Sequence, residues 1–203
     1  MAEPLKVEKA FDADNHYYEA IDAFTRHVEK GMASRTMQWA EIDGRQRLLV
    51  GGKVNRFIPN PTFEIVAKPG AHEAYYRSEN TEGKTLRELT GKPVTPPEGW
   101  RTGKTRIAEL DEQGLHAALI FPTLGSIVEE RIGARGDVSA ALFHSLNRWA
   151  VEEWGMARDN RLFYVPFINL TDVDAAVKEL EYVLEQGARV VNIRPAPVAD
   201  IRG

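Results

Sequence analysis

The chain has 203 residues, with 26 Lys and Arg against 30 Asp and Glu, a net charge of −4 with histidine neutral. Apolar residues make up 43% and charged residues 28%, the balance of a globular protein and too apolar for an unfolded one. The acidic balance and scattered basic residues exclude a dedicated nucleic-acid binder and a polybasic membrane patch, both of which need a basic footprint. Cysteine is absent, which removes disulfides, thiol catalysis and cysteine-ligated metal from consideration. The amino-terminal residues lack the apolar core of a secretion signal, and no run approaches the roughly 18 apolar residues of a membrane helix. A cytoplasmic protein is therefore expected.

In chain order, the first strand is expected over Val7 to Asn15, with a helix following before residue 30. Residues from about 31 to 104 are irregular and rich in Gly, Pro, Thr and Lys, and read as an insertion. Within it, Met37 to Ile42 and Arg45 to Val50 flank Asp43-Gly44, a preferred two-residue hairpin turn. Val54 to Ile58 could add a third strand. Insertions of this kind sit over an active-site mouth or serve assembly.

From residue 105 onward the pattern is strongly periodic. Thr105 is placed to cap a helix through Ile107, Ala108 and Leu110, which Gly114 stops. His116 to Phe121 is a short apolar run before Pro122, the mark of a strand buried on both faces. Asp137 is placed to cap a second helix carrying Val138, Leu142, Leu146, Trp149 and Trp154. Arg161 to Asn169 reads as a third strand blemished by Pro166. Thr171, with Asp174 at the capping-box position, opens a third helix that Gly187 ends. Arg189 to Arg194 is the fourth strand. Glu112-Gln113-Gly114 and Glu185-Gln186-Gly187 are the same device used twice, a helix end turned back onto a strand. Alternating strands and helices predict a parallel sheet with right-handed crossovers, in a single α/β domain over residues 1–203. The usual Gly-rich phosphate loop of a nucleotide-binding domain does not follow the first strand.

The chemically informative stretch is Asp12-Ala13-Asp14-Asn15-His16-Tyr17-Tyr18-Glu19. Alternate strand residues share a face, so Asp12, Asp14 and His16 are expected to point one way, at the carboxyl end of the first strand. Active sites of parallel α/β folds lie at that end. Two carboxylates and an imidazole gathered there suit a divalent metal, zinc before manganese or iron. The competing reading is a solvated strand end with a polar turn.

That stretch resembles the first-strand metal motif of the amidohydrolase-related family, in the branch that includes aminocarboxymuconate-semialdehyde decarboxylase. Gly114 to Gly125, Asn147-Arg148-Trp149 and Gly187 to Pro197 are similar to the same family. The resemblance implies a (β/α)8 barrel with one catalytic divalent metal, Asp14 and His16 standing at its two first-strand ligand positions. Glu19 takes a supporting or substrate-side position, and Arg194, at the end of the fourth strand, could clamp a substrate carboxylate. The family draws further ligands from its fifth and eighth strands, and four strands against eight make this chain the amino-terminal half of a barrel. The expected function is metal-dependent hydrolysis of a carbonyl-type bond in a small molecule. The alternatives are non-oxidative decarboxylation within the family and a non-catalytic half-barrel that serves assembly. An open half leaves apolar surface, so homo-oligomerisation or association with the missing half is expected. The end of the chain after the fourth strand leads to the expectation of a truncated frame or expressed fragment. Two ligands alone predict weak metal binding by the isolated chain.

Overall fold

The computed structural model describes residues 9–58, 60–133 and 135–197. Its elements run β1 (Ala10–Tyr17), β2 (Met37–Ile42), β3 (Arg45–Val50), β4 (Lys53–Val54), α1 (Glu73–Tyr76), α2 (Leu86–Thr90) and α3 (Gly103–Glu112). They continue with β5 (Leu115–Pro122), α4 (Gly125–Ile132), α5 (Gly136–Glu153), β6 (Ala157–Arg158), β7 (Leu162–Tyr164) and α6 (Val173–Glu185). Single 3-10 turns occupy Lys30–Arg35 and Glu98–Trp100.

The apolar run after Gly114 becomes the central strand. β5 pairs in parallel with β1 on one side and with β7 on the other, while β6 lies antiparallel on the far edge of β7. Gly114 and Gly187 take φ values of +68° and +93°, the left-handed backbone that stops α3 and α6 and that glycine adopts without strain. One face of this sheet packs on the helices. Tyr17, Ile120, Tyr164 and Phe167 are buried there against Leu142, Phe143, Trp149 and Trp154. Phe143 stacks on Phe167 at 4.6 Å, and the Tyr17 and Tyr164 hydroxyls meet at 2.5 Å in the middle of the core.

The other face is open. Leu119 and Phe121 alternate with buried Ile120, and register puts Phe11, His16 and Phe163 beside them. Phe167 pairs with Asn192, so Val191 and Ile193 point to this same open side. Phe11, Val191 and Ile193 are exposed. A parallel sheet with helices on one face and an apolar inner face is half of a (β/α)8 barrel, as expected from the sequence. Among the described residues no helix is long and apolar enough to cross a membrane.

Several boundaries differ from expectation. The described part of the first strand reaches Tyr17, and Val7 and Glu8 lie outside the described residues. Hydrogen-bonded turns through Ala20 to Val28 replace the helix expected before residue 30. α3 begins at Gly103, and Thr105 is inside it, its hydroxyl bonded to that of Thr102. Asp137 lies in the first turn of α5, and α4 precedes that helix as an extra element. Asp172, accepting from the Ala175 N–H at 3.1 Å, caps α6 in place of Thr171. The third strand stops at Tyr164, short of Pro166, which has no N–H to donate to a ladder. β6 already occupies the outer edge of β7 at Leu162 and Phe163. The expected fourth strand therefore meets the third only past Pro166, through the Asn192 bridge.

The insertion holds the hairpin as expected, Met37 facing Val50 and Ile42 facing Arg45. The expected third strand shrinks to β4. Phe63 of the insertion stacks on Tyr18 at 4.3 Å, and Arg101 donates to the carbonyls of Thr62 and Phe63 at 2.9 and 2.7 Å. The insertion is thus fastened beside the carboxyl end of β1.

Gly103 tests this packing. A Cβ there would lie 2.9 Å from Trp154 Cα and O, backbone atoms that cannot swing aside. Gly103→Ala is expected to destabilise the chain by about 1–3 kcal/mol, read as a lower midpoint in urea unfolding.

Candidate functional site

β1 is not a regular strand. Asp12 pairs with Ala118 and Asn15 with Ile120, so β1 spends three steps where β5 spends two. The extra residue is a β-bulge, and it reverses which side chains face which way. The expectation that Asp12, Asp14 and His16 share one face is corrected by this geometry. Asp12 and Asn15 turn to the helix side, and Asp14 and His16 turn to the inner face.

The bulge is held by a chain of hydrogen bonds. The Asp14 N–H donates to Asp12 Oδ1 at 3.0 Å, and Asn15 Nδ2 donates to Asp12 Oδ2 at 2.8 Å. Arg106 of α3 completes it, with Nη1 donating to Asn15 Oδ1 at 3.0 Å and Nη2 to the His16 carbonyl at 2.7 Å. Arg106 is 5% exposed, and its guanidinium lies 5.9 Å from the centre of the Trp154 ring. Burial pulls its pKa down, while the charges of Glu109 and Asp12 oppose that. Sequence reasoning missed Asn15 and Arg106. The signal was present for Asn15 alone: polar residues at consecutive positions 14 and 15 already break strand alternation.

On the inner face, Asp14 Oδ1 lies 3.4 Å from His16 Nε2, with the side chains 89% and 51% exposed. The His16 ring sits 6.0 Å from that of Phe121. Bonds of about 2.1 Å from a tetrahedral zinc to one oxygen and one nitrogen put those donors roughly 3.4 Å apart. The pair therefore fits one edge of such a site. Among the described residues no group of three His, Asp or Glu side chains is placed to hold a metal. The four remaining histidines are elsewhere, His116 at the amino end of β5. His27 pairs with Glu152 at 2.9 Å, His144 with Glu179 at 2.7 Å, and His72 with Thr90 at 2.8 Å.

Glu19 lies two residues beyond β1 and is 3% exposed. Its Oε1 accepts the Leu124 N–H at 2.7 Å, at the amino end of α4, where no neighbouring side chain caps the helix. Its Oε2 has no partner among the described residues. Thr123 donates its hydroxyl to the Tyr17 carbonyl at 2.6 Å beside it. Arg194 is tied to Glu130 of α4 at 2.5 Å. Neighbouring Glu129 is buried, bonded to Asn169 at 2.8 Å, and pushed up in pKa by that burial.

Burial pushes the Glu19 carboxyl from its ordinary 4.5 up to about 8, against the backbone N–H donors that favour its charged form. The unfolded chain releases this proton near 4.5 and the folded chain near 8. Between those values the folded state binds more protons, so stability falls as pH rises, and the contribution is fully present only below 4.5. Glu19→Gln is expected to remove this one-proton slope, measured by urea unfolding across that range. An unchanged slope would assign the proton elsewhere.

No protein-family model matches the chain, and no curated protein matches it. Among solved structures, it is similar to an amidohydrolase from Mycobacterium avium subsp. paratuberculosis K-10. The TM-score is 0.91 at 36% sequence identity, covering 98% of this chain and 52% of that one. The chain thus spans about half the length of that relative. The likeness in fold and sequence runs over nearly all of this chain and one half of that amidohydrolase.

Proposed function

We propose that this chain provides the first-strand metal donors and the substrate mouth of a metal-dependent hydrolase barrel. The observation that carries the reading is the Asp14–His16 pair, 3.4 Å apart on the inner face at the carboxyl end of β1. The similarity to an amidohydrolase over 98% of the chain supports it. A divalent metal, zinc first and manganese or iron next, would supply Lewis acidity at the substrate carbonyl and a nucleophilic water at neutral pH.

The chain's own residues do the rest of the work at this end. Asp14 brings negative charge and His16 a neutral nitrogen, a mixed donor set that suits zinc. Phe121 places an apolar ring beside His16 on the inner face. Glu19 holds the loop after β5 and stands behind the mouth; its burial makes it a support and removes it from substrate contact. Arg194 would have to leave Glu130 to bind a substrate carboxylate. The exposed Phe11, Val191 and Ile193 mark where the remaining barrel strands would pack, and with them the general base and further ligands. Decarboxylation, as in the branch the β1 motif resembles, would use the same two donors on a carboxylated substrate.

In a barrel that joins this chain to its missing half, Asp14→Ala and His16→Ala are each expected to abolish bound zinc and hydrolysis of amide or ester substrates. Metal analysis and a substrate panel including aromatic carboxylates check this, carbon dioxide release marking the decarboxylase. Full metal content and activity in both variants would remove the reading.

A further inference from the structure

Arg106 is an unusual residue to find beneath a sheet. Its guanidinium is buried, its Nε has no partner among the described residues, and its nearest carboxylate oxygen, on Glu109, is 4.0 Å away. Taking a guanidinium out of water costs several kcal/mol unless its donors are well used. Here the two terminal nitrogens are used on one target. Nη1 takes Asn15 Oδ1 and Nη2 takes the His16 carbonyl, adjacent residues at the end of the bulge. Asn15 passes the restraint on to Asp12, which also receives the Asp14 N–H. Asn15 and the His16 carbonyl are therefore fixed to α3 directly, Asp12 through Asn15, and the Asp14 backbone through Asp12 and Asn15. Asp14 and His16 are the two whose side chains stay free of this network, and they are the two on the inner face.

We propose that Arg106 is a positioning residue for the Asp14–His16 pair, its planar fork holding the bulge that turns both side chains inward. The inference rests on the metal reading for its purpose and on the bulge geometry for its mechanism. A regular β1 continuing in the register of Asp12 would carry Asp14 and His16 together to the helix side. Lysine cannot replace the fork, because a single ammonium on a flexible stem does not span two acceptors in a fixed plane.

The test uses the isotopically labelled chain and two independent readouts. The first is the nuclear Overhauser contact between the His16 and Phe121 rings, which reports the inward orientation without metal. The second is Zn²⁺ titration followed at the His16 ring resonances. Arg106→Ala is expected to remove the ring contact and weaken Zn²⁺ binding about 10- to 100-fold, the usual effect of losing a ligand's supporting partner. Added methylguanidinium should restore part of both, and Arg106→Lys should fall between. A folded Arg106→Ala chain, judged by circular dichroism, that keeps ring contact and affinity overturns the proposal. If Arg106→Ala does not fold, Asn15→Leu removes one arm alone; it should weaken both readouts several-fold, and no change overturns the proposal. The ring contact decides the role of Arg106 without metal, and the Asp14→Ala and His16→Ala variants of the completed barrel decide the metal reading, so the two can fail separately.

Discussion

One extra residue in β1 sets what the inner face of this sheet presents. With strict alternation, Asp12, Asp14 and His16 would crowd together and Asn15 would face the opposite way. The bulge divides them into two pairs with different partners. Asp12 and Asn15 go to the helix side, where a buried cation needs acceptors, and Asp14 and His16 go to the side without a covering layer. Each half of this arrangement compensates the other. The His16 carbonyl, just past the bulge, accepts from Arg106. Arg106 would be a buried charge without acceptors if β1 were regular, a loss of several kcal/mol.

The same logic runs through the mouth. β1 and β5 end side by side, and three contacts join the segments that continue from them. Thr123 bonds the Tyr17 carbonyl, Glu19 accepts the Leu124 N–H, and Tyr18 lies on Phe63 of the insertion. Tyr18 also donates its N–H to the Trp100 carbonyl at 2.8 Å. The loop after β5, the amino end of α4 and the insertion are thereby all referred to Tyr17, Tyr18 and Glu19. Glu19 is an expensive anchor, since burial favours its neutral form at neutral pH. A protonated carboxyl still accepts from Leu124, so the anchor holds whether or not the proton is present.

Where local chemistry decides structure, the sequence was readable. Asp43-Gly44 specified the hairpin and its register, and Gly114 and Gly187 stopped their helices where expected. The apolar strand before Pro122 and the alternation of strands and helices followed from periodicity, and the half barrel from the family resemblance. The failures share one cause, a distant partner. Arg106 is 91 residues from Asn15, so β1 shows at most a break in alternation at positions 14 and 15 and nothing of the cation that holds it. β6 takes an edge that the fourth strand would otherwise use, which a strand-by-strand reading does not see. Glu19 looked like a mouth residue from its place in the motif. Its burial is decided by the Leu124 N–H, 105 residues away. Thr105, Asp137 and Thr171 were each plausible caps, displaced by one to three residues where tertiary contacts start the helix elsewhere.

The placement of the donors couples two requirements. Asp14 and His16 stand on the same face as Phe11, Leu119, Phe121, Val191 and Ile193. Apolar surface of this kind is buried in a finished barrel, where inward side chains form packed layers. Two donors form one edge of a coordination polyhedron, and catalytic zinc uses three protein ligands with one position open. Whatever polypeptide covers the apolar floor approaches the donor edge from the same direction, and is the natural source of the third ligand. On the proposed metal reading, metal affinity and closure of the barrel would be linked quantities: the free energy of binding metal would partly be the free energy of bringing a second half into place. The proposed Arg106 clamp on β1 would keep that linkage favourable, because a donor pair already held at its binding separation loses less freedom when coordination is completed.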